Sequence, residues 1–181
     1  MDQDEKLKQA ARAEFLRHGY KAASIATIAE QAGMAVGSVY KLYPSKQALF
    51  LEIYFTENRA VKQRVLARVD WRDPRTVLGD FLRYNLAEVR KNRILQEWSG
   101  ETIGPAVRQA CIDRGEARQF NDFFSEKFAN WRAQQLINDD VTDEFIFKLI
   151  DVLNEIDARV DTDNETKTFI VQAAIEKVVR Q

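Results

Sequence analysis

The sequence predicts an all-α fold of about nine helices, and three observations support this prediction. Apolar residues recur at helical spacing along almost the whole chain, and no stretch alternates with period two for long enough to form a strand. The three prolines, Pro44, Pro74 and Pro105, all stand at predicted helix starts. The 181 residues are 45% hydrophobic, which is enough to bury a core in one or two domains without a disulfide.

The first helix is predicted over residues 4–18, where the apolar residues fall mostly on one stripe. Gly19 provides the stop signal, and Ser24 is well placed to cap a second helix. The apolar residues that define the inner faces of these two helices are Leu7, Ala10, Ala11, Phe15, Leu16, Ile25, Ile28, Ala29 and Ala32.

A tight turn follows the second helix, and it indicates the function of residues 1–46, which we call the head. Gly33 should end the second helix with a positive φ. The next helix, about Val36 to Leu42, is too short to be stable alone, so Val39 and Tyr40 must pack against the neighbouring helices. Two short helices joined by a glycine turn are typical of a helix-turn-helix, which presents its second helix to the major groove of DNA.

The rest of the chain is predicted to be helical, with clear start and stop signals for each helix. Ser45 caps a long helix over residues 45–68, which links a DNA-binding domain at 1–46 to a helical regulatory and dimerisation domain at 47–181. The later helix signals are Asp73-Pro74, Gly104-Pro105, the segment Glu116 to Ile137 after Gly115, Thr142 to about Val160, and about Asp163 to Gln181.

Charge and composition narrow the function. Residues 1–50 carry seven Lys or Arg and five Asp or Glu, a net +2, within a chain of net charge −1; this sign suits a DNA-binding head. The first residues contain no apolar leader and no segment could span a membrane, so a cytoplasmic location is expected. One histidine (His18), one cysteine (Cys111) and no catalytic or nucleotide-binding motif predict no enzyme activity, cofactor or metal site.

Many spaced residues of the head, all in one register, closely resemble the TetR family of bacterial transcription regulators over about residues 7–54. The resemblance implies a helix-turn-helix repressor that dimerises through its last two helices and releases DNA when a small ligand fills its C-terminal domain. The matching residues are Ala10-Ala11, Phe15, Gly19-Tyr20, Ser24, Ile28-Ala29, Ala32-Gly33, Gly37-Ser38-Val39-Tyr40, Tyr43 and Ser45-Lys46-Gln47-Ala48-Leu49.

The resemblance also implies which side chains meet DNA. One group faces the base edges, a second meets the backbone or the groove wall, and a third holds phosphates at helix N-termini. The base-edge group is Ala35, Val36 and Ser38, the backbone or groove-wall group is Tyr40, Lys41 and Tyr43, and the phosphate group is Ser24 and Lys46. For Tyr40 a role in packing the head remains an alternative, and for the two lysines simple solvation does.

The sequence departs from the family at the start of the recognition helix. Position 35 is usually serine or threonine, which caps the helix, and position 36 is often polar; here they are Ala35 and Val36. An apolar pair can contact a thymine methyl group but cannot donate to guanine. We therefore expect base readout to rely on apolar contacts, Ser38 and DNA shape.

The aromatic residues of the C-terminal part predict either a ligand pocket or a packed core. Phe120, Phe124, Phe128 and Trp131 follow an approximate i, i+4, i+8, i+11 stripe. Large rings between helices are what an apolar or aromatic ligand would contact, with a few polar groups beside them. The candidate ligand residues are Phe81, Tyr84, Asn85, Trp98, Arg108, Phe120, Asn121, Phe124, Phe128 and Trp131.

The last two helices have more apolar positions than one buried stripe requires. A helix that is apolar over so wide an arc must bury two faces, one on its own subunit and one on a partner. A central helix in a monomer is the alternative. The candidate interface residues of a homodimer are Phe145, Leu149, Val152, Leu153, Ile156, Phe169, Ile170, Ala173, Ala174 and Val178.

The sequence therefore predicts a DNA-binding transcription regulator, a repressor released from a palindromic operator by a small molecule. The alternative is a DNA-binding adaptor whose C-terminal domain binds a protein partner and no metabolite.

Overall fold

The computed structural model describes residues 2–149, 152 and 164–180, and this part of the chain is built from ten helices. The predicted all-α fold class is confirmed. The helices are α1 (Gln3–Ala22), α2 (Ile25–Gln31), α3 (Val36–Leu42), α4 (Lys46–Arg68), α5 (Pro74–Lys91), α6 (Arg93–Gln96), α7 (Gly104–Asp113), α8 (Glu116–Ala133), α9 (143–149) and α10 (Asn164–Val178).

The chain forms two compact units. The first comprises Met1–Lys62 and Glu88–Ala110, and the second comprises Gln63–Ala87 and Cys111–Gln181. The functional boundary predicted after residue 46 falls inside the first unit, at the start of α4. The short helix α6 and most of α7 therefore pack with the DNA-binding head.

Gly19 interrupts α1 as the sequence predicts, but one further helical turn follows it. Gly19 has φ 72° and ψ 178°, and the chain then continues to Ala22. A Cβ atom at position 19 would lie 3.0 Å from both Arg93 Nε and Glu97 Oε1. Glycine is thus required both by the backbone conformation and by the close approach of side chains from the α6 segment.

The predicted caps and turn of the helix-turn-helix are confirmed. The Ser24 hydroxyl accepts a hydrogen bond from the Thr27 amide at 3.4 Å, and Gly33 has φ 67°. Ala35 makes no side-chain cap at the start of α3. Since α3 has only seven residues, its position depends on the buried side chain of Val39.

A buried carboxylate connects three helices of the first unit. Glu57 on α4 accepts hydrogen bonds from Arg12 Nε on α1 (2.5 Å) and from the amide of Asn92 (2.6 Å). The side-chain oxygen Oδ1 of Asn92 in turn accepts from the backbone amides of Ile94 and Leu95 and so caps α6. We call Arg12, Glu57 and Asn92 the Glu57 network.

A second set of contacts holds α6 against the end of α1. The Tyr20 amide, which follows the break at Gly19, donates to Glu97 Oε1 at 2.8 Å. Arg93 donates to the carbonyl of Arg17 at 2.8 Å. Both contacts satisfy backbone groups that the helix break leaves without an intrahelical partner.

The predicted end of α8 at Ile137 is wrong, because the helix stops at Ala133. Gln135 adopts a left-handed conformation (φ 57°), and the Leu136 amide reaches back to the carbonyl of Trp131 at 2.9 Å. This is a Schellman ending with glutamine where glycine is usual. Ile137 instead forms an isolated antiparallel bridge with Val179, which also follows the end of α10.

The other predicted helix starts agree with the structure where it describes them. Ser45 accepts from the Ala48 amide at the start of α4, and Asp73 accepts from the Arg75 amide at the start of α5. Thr142 accepts from the Phe145 amide at the start of α9. Residues 150, 151 and 153–163 lie outside the described residues; they include the rest of the helix predicted from Thr142 to about Val160 and the predicted start of the last helix at about Asp163. The four-residue helix α6 was not predicted.

We expect Gly19→Ala to lower the free energy of unfolding by about 1–2 kcal/mol, because alanine resists positive φ and its Cβ would crowd Arg93 and Glu97. Gly37→Ala is the matched control. A Cβ at helical position 37 meets nothing within 4 Å, so this variant should be unchanged or up to about 1 kcal/mol more stable. Urea unfolding of both variants measures the difference, and equal destabilisation would contradict this account of Gly19.

Candidate functional site

Helix α3 presents an exposed face that is largely apolar. Val36, Tyr40 and Leu42 are 40%, 46% and 48% exposed, whereas Val39, which lies between Val36 and Leu42 around the helix, is buried. Among the described residues of the first unit, these three are the large hydrophobic side chains that remain exposed. The burial of Val39 therefore turns the rest of α3 outward.

Helical spacing arranges the six positions of α3 other than Val39 in three i, i+4 rows, in which Ser38 is half-buried and the other five residues are exposed. Gly37 and Lys41 form the middle row, with Val36 and Tyr40 on one side of it and Ser38 and Leu42 on the other. Gly37 has no side chain, so the backbone in the middle row can approach a groove closely. Lys41 places one positive charge at the centre of this surface.

Tyr43 has a partner inside the head. Its hydroxyl donates to Asp4 Oδ1 at 2.8 Å, and Asp4 also pairs with Lys8 at 2.7 Å. Burial, together with the hydrogen bond to Asp4, raises the pKa of Tyr43 to about 12. The hydrogen bond from Lys8 lowers the pKa of Asp4. Tyr43 thus ties the end of α3 to α1, and its contact with the DNA backbone stays a prediction.

Lys46 and Ser24 also contact groups within the head. The Lys46 ammonium donates to the carbonyl of Lys21 at 3.2 Å and lies 4.9 Å from the ring centroid of Tyr20. Burial lowers the pKa of Lys46. The Ser24 amide donates to Glu14 Oε1 at 3.1 Å while its hydroxyl caps α2. An ammonium has three donors, so Lys46 can still bind a phosphate from this position.

Sequence reasoning missed Leu42 as a candidate contact. Its signal lay in the helical spacing, because Leu42 follows Ser38 by four residues on a helix whose buried residue is Val39.

The described part of the predicted ligand set divides between the two units. Trp98 and Arg108 belong to the first unit, where Arg108 donates to the carbonyl of Trp98 at 2.6 Å. Tyr84 and Asn85 lie half-buried on α5 in the second unit, and the guanidinium carbon of Arg68 lies 3.8 Å from the Tyr84 ring centroid.

Four of the remaining members form an aromatic cluster in the second unit. Phe81, Phe124, Phe128 and Trp131 are buried, and their successive ring centroids are 5.3, 5.7 and 5.6 Å apart. Trp71 joins them and accepts a hydrogen bond at its carbonyl from the Trp131 indole. The side chains of Phe120 and Asn121 lie outside the described residues. The described rings therefore pack closely against one another.

The predicted interface residues differ in exposure. Phe169 is 72% exposed on α10, and Phe145, Val152 and Ala173 are also exposed. Val178 is buried, so its side chain packs within its own chain. Of the others, Leu149, Ile170 and Ala174 are half-buried, and Leu153 and Ile156 lie outside the described residues.

The first unit contains the geometry of a helix-turn-helix: a capped helix, a glycine turn and a short outward-facing helix. Residues 7–53 match the model of the family described as bacterial regulatory proteins, tetR family. This match confirms the predicted resemblance over about residues 7–54. Over residues 7–53 the chain is therefore similar to the bacterial regulatory proteins of the tetR family.

Solved structures share the fold over the whole chain. A TetR-family regulator from Shewanella sp. PV-4 is 17% identical, with 100% of both chains covered and a TM-score of 0.61. A second, from Mesorhizobium loti MAFF303099, is 20% identical over 96% of this chain and 93% of that chain (TM-score 0.66). FadR from Bacillus subtilis, solved with stearoyl-CoA, is 12% identical over 96% and 98% (TM-score 0.58). None of the curated proteins matches the chain in sequence.

Two further observations concern the described residues alone. No helix among them combines the length and the apolar character that a membrane span requires. Nor do three His, Cys, Asp or Glu side chains in this part of the chain gather in a way that could hold a metal ion.

The two tyrosines of the head should respond differently to loss of the hydroxyl. We expect Tyr43→Phe to lower the free energy of unfolding by about 1 kcal/mol, because it removes the hydrogen bond to Asp4, and to weaken operator binding less than Tyr40→Phe does, since the Tyr43 hydroxyl is already bonded within the head. Tyr40→Phe should leave stability unchanged and weaken operator binding by about threefold to tenfold through loss of a phosphate contact. Thermal unfolding and fluorescence anisotropy measure the two effects. A large loss of affinity in Tyr43→Phe would instead support the DNA contact that the family resemblance implies.

Proposed function

We propose that this protein is a repressor that binds a palindromic operator as a homodimer and leaves it when a small apolar or aromatic ligand binds. One observation carries the proposal: a TetR-type head presents the outward face of α3, with Lys41 at its centre. Backbone contacts from Tyr40, Lys41 and Lys46 position the helix, and the first residues of α3 meet the bases.

The homodimer is supported by the two faces of α10. Ile175 and Val178 are buried within the chain, whereas Phe169 is exposed on the same helix. Phe145 and Val152 on the preceding predicted helix are exposed as well, and a second copy of the same helix pair would cover these side chains in a two-fold interface. Two heads could then bind half-sites about 34–36 Å apart or a multiple of that distance.

The ligand response is supported by the aromatic content of the second unit. The neighbour from Bacillus subtilis, which shares the fold, was solved with stearoyl-CoA. In the proposed mechanism the ligand binds among aromatic residues and favours a head geometry that does not fit the operator, with α4 as the connecting helix. Ligand and DNA then weaken each other's binding by the same factor.

A second candidate is the DNA-binding adaptor, whose C-terminal part binds a protein. The close packing of Phe81, Phe124, Phe128 and Trp131 favours it, because rings already in mutual contact have to separate before a ligand can enter. The two candidates share the DNA-binding head and differ only in what the second unit binds.

Operator binding is tested by selection of duplexes from a random pool with the purified protein. The expected result is a palindrome with two half-sites, bound with an affinity that falls as salt rises. Lys41→Ala should reduce the slope of log affinity against log salt by about one for each Lys41 phosphate contact that is lost. Selection of no duplex would contradict the proposed function.

The ligand step is tested with stearoyl-CoA as an acyl probe and naphthalene as an aromatic probe. Under the repressor proposal at least one of them weakens operator binding, and operator DNA weakens its binding by the same factor. A protein that binds its operator and responds to neither probe would favour the adaptor.

The proposed dimer predicts unequal effects of two aspartates placed at equally exposed sites. Phe169 and Ile112 are both 72% exposed, but only Phe169 lies in the proposed interface. Phe169→Asp should be a monomer at micromolar concentration in sedimentation equilibrium, because a buried unpaired carboxylate opposes association. Ile112→Asp should remain a dimer. If both variants dimerise, the interface lies elsewhere.

A further inference from the structure

The polar side chains of α3 are few. Its seven residues include Ser38, Tyr40 and Lys41 but no arginine, asparagine, glutamine, aspartate or glutamate. Adenine is usually recognised in the major groove by asparagine or glutamine, and guanine by arginine or lysine. Lys41 is thus the one side chain of α3 able to make a strong guanine contact, and α3 lacks the asparagine or glutamine that usually recognises adenine.

The apolar side chains of α3 are exposed on both sides of its middle row. Val36 and Leu42 are 40% and 48% exposed, and they flank the Gly37–Lys41 row at opposite ends of the helix. Leu42 lies six positions after Val36, which corresponds to about 9 Å along a helix axis. Since base pairs are about 3.4 Å apart, the two side chains can reach bases two to three steps apart.

The surroundings of this surface favour DNA over an apolar protein partner. Lys41 projects from its centre, and residues 1–50 carry the positive part of an otherwise acidic chain. In the major groove, the apolar group that a base edge offers is the C5 methyl of thymine. Two apolar side chains around a cation therefore fit a phosphate-lined groove that contains thymines.

We propose that Val36 and Leu42 each contact a thymine methyl group, so that every half-site carries thymines two to three steps apart. This inference rests on the proposed operator binding and deepens it by naming the base chemistry that is read. Leu42 becomes a specificity-determining residue beside Val36. Lys41, between them, contacts the backbone and leaves the base preference unchanged.

The test replaces thymine with deoxyuridine, one position at a time, in an operator selected from a random pool. This change removes only the 5-methyl group and keeps the base pairing. Two positions in each half-site should lose roughly fourfold in affinity, the equivalent of one buried methyl group. Fluorescence anisotropy at fixed salt measures each duplex.

The variants assign each methyl to a side chain. Leu42→Ala should abolish the deoxyuridine penalty at one position and Val36→Ala at the other, as expected when two groups interact directly. Leu42→Met, which keeps an apolar side chain of similar reach, should retain the penalty. Ile112→Ala, a change at an exposed residue of the second unit, should leave both penalties intact. Because Val36 and Leu42 are exposed, thermal unfolding should show all four variants folded.

The outcomes separate this inference from the function on which it rests. An operator that binds equally well with thymine or deoxyuridine at every position would overturn the inference and leave operator binding established. Penalties that persist in both alanine variants would overturn it as well. A Lys41→Ala variant that changes which base is preferred would show that guanine, not thymine, is read. If no duplex is selected, both proposals fail.

Discussion

The buried carboxylate of Glu57 is the interaction on which the arrangement of the head depends. A carboxylate inside a protein is unfavourable unless charged or polar partners surround it. Glu57 receives a guanidinium from α1 and an amide from Asn92, which also caps α6. Because one acid satisfies groups on α1 and before α6 at once, α6 cannot shift on the head without leaving a buried polar group unpaired.

The same segment is held at its other end by Glu97, and this explains why residues 88–110 pack with the head. Glu97 binds the Tyr20 amide that the break at Gly19 exposes. Two acids thus fix the short α6 to α1, while Ile94 and Leu95 are buried between them. The position of the head is thereby connected to a segment far from it in sequence, which a boundary drawn after residue 46 would separate from it.

Helix α3, the proposed recognition helix, is stabilised by residues that lie outside its exposed face. Val39 is buried and Tyr43 is bonded to Asp4, so the helix is held by side chains that point away from the proposed DNA surface. Its exposed residues are consequently free to vary without loss of the fold. This separation of roles accounts for the apolar start at Ala35 and Val36: the missing cap weakens a helix that tertiary contacts already hold in place.

Local sequence rules predicted the elements whose signals are local, and failed where the deciding contact is distant or unusual. Gly33, Ser24 and Ser45 performed their expected roles because turns and caps depend on a few adjacent residues. The end of α8 escaped prediction because Gln135 takes the conformation usually reserved for glycine. The partner of Tyr43 could not be predicted either, since Asp4 lies 39 positions away. At the candidate site, spacing identified the recognition helix but not the exposure of Leu42, which depends on how α3 rests on the head.

The limited chemistry of α3 makes two-fold symmetry a requirement of the proposed operator recognition. One lysine, one serine, one tyrosine and two aliphatic side chains distinguish few base pairs in a single half-site. When two heads are joined through α9 and α10, the base preferences of both half-sites add, and the spacing between the half-sites becomes a further condition for binding. A signal that alters the separation of the heads then controls affinity without touching a base contact. Phe169 and Leu42 lie on different units, but both would contribute to operator selectivity. Phe169 would set the geometry in which the two weakly discriminating helices act together. Leu42 would add to the bases that each helix recognises.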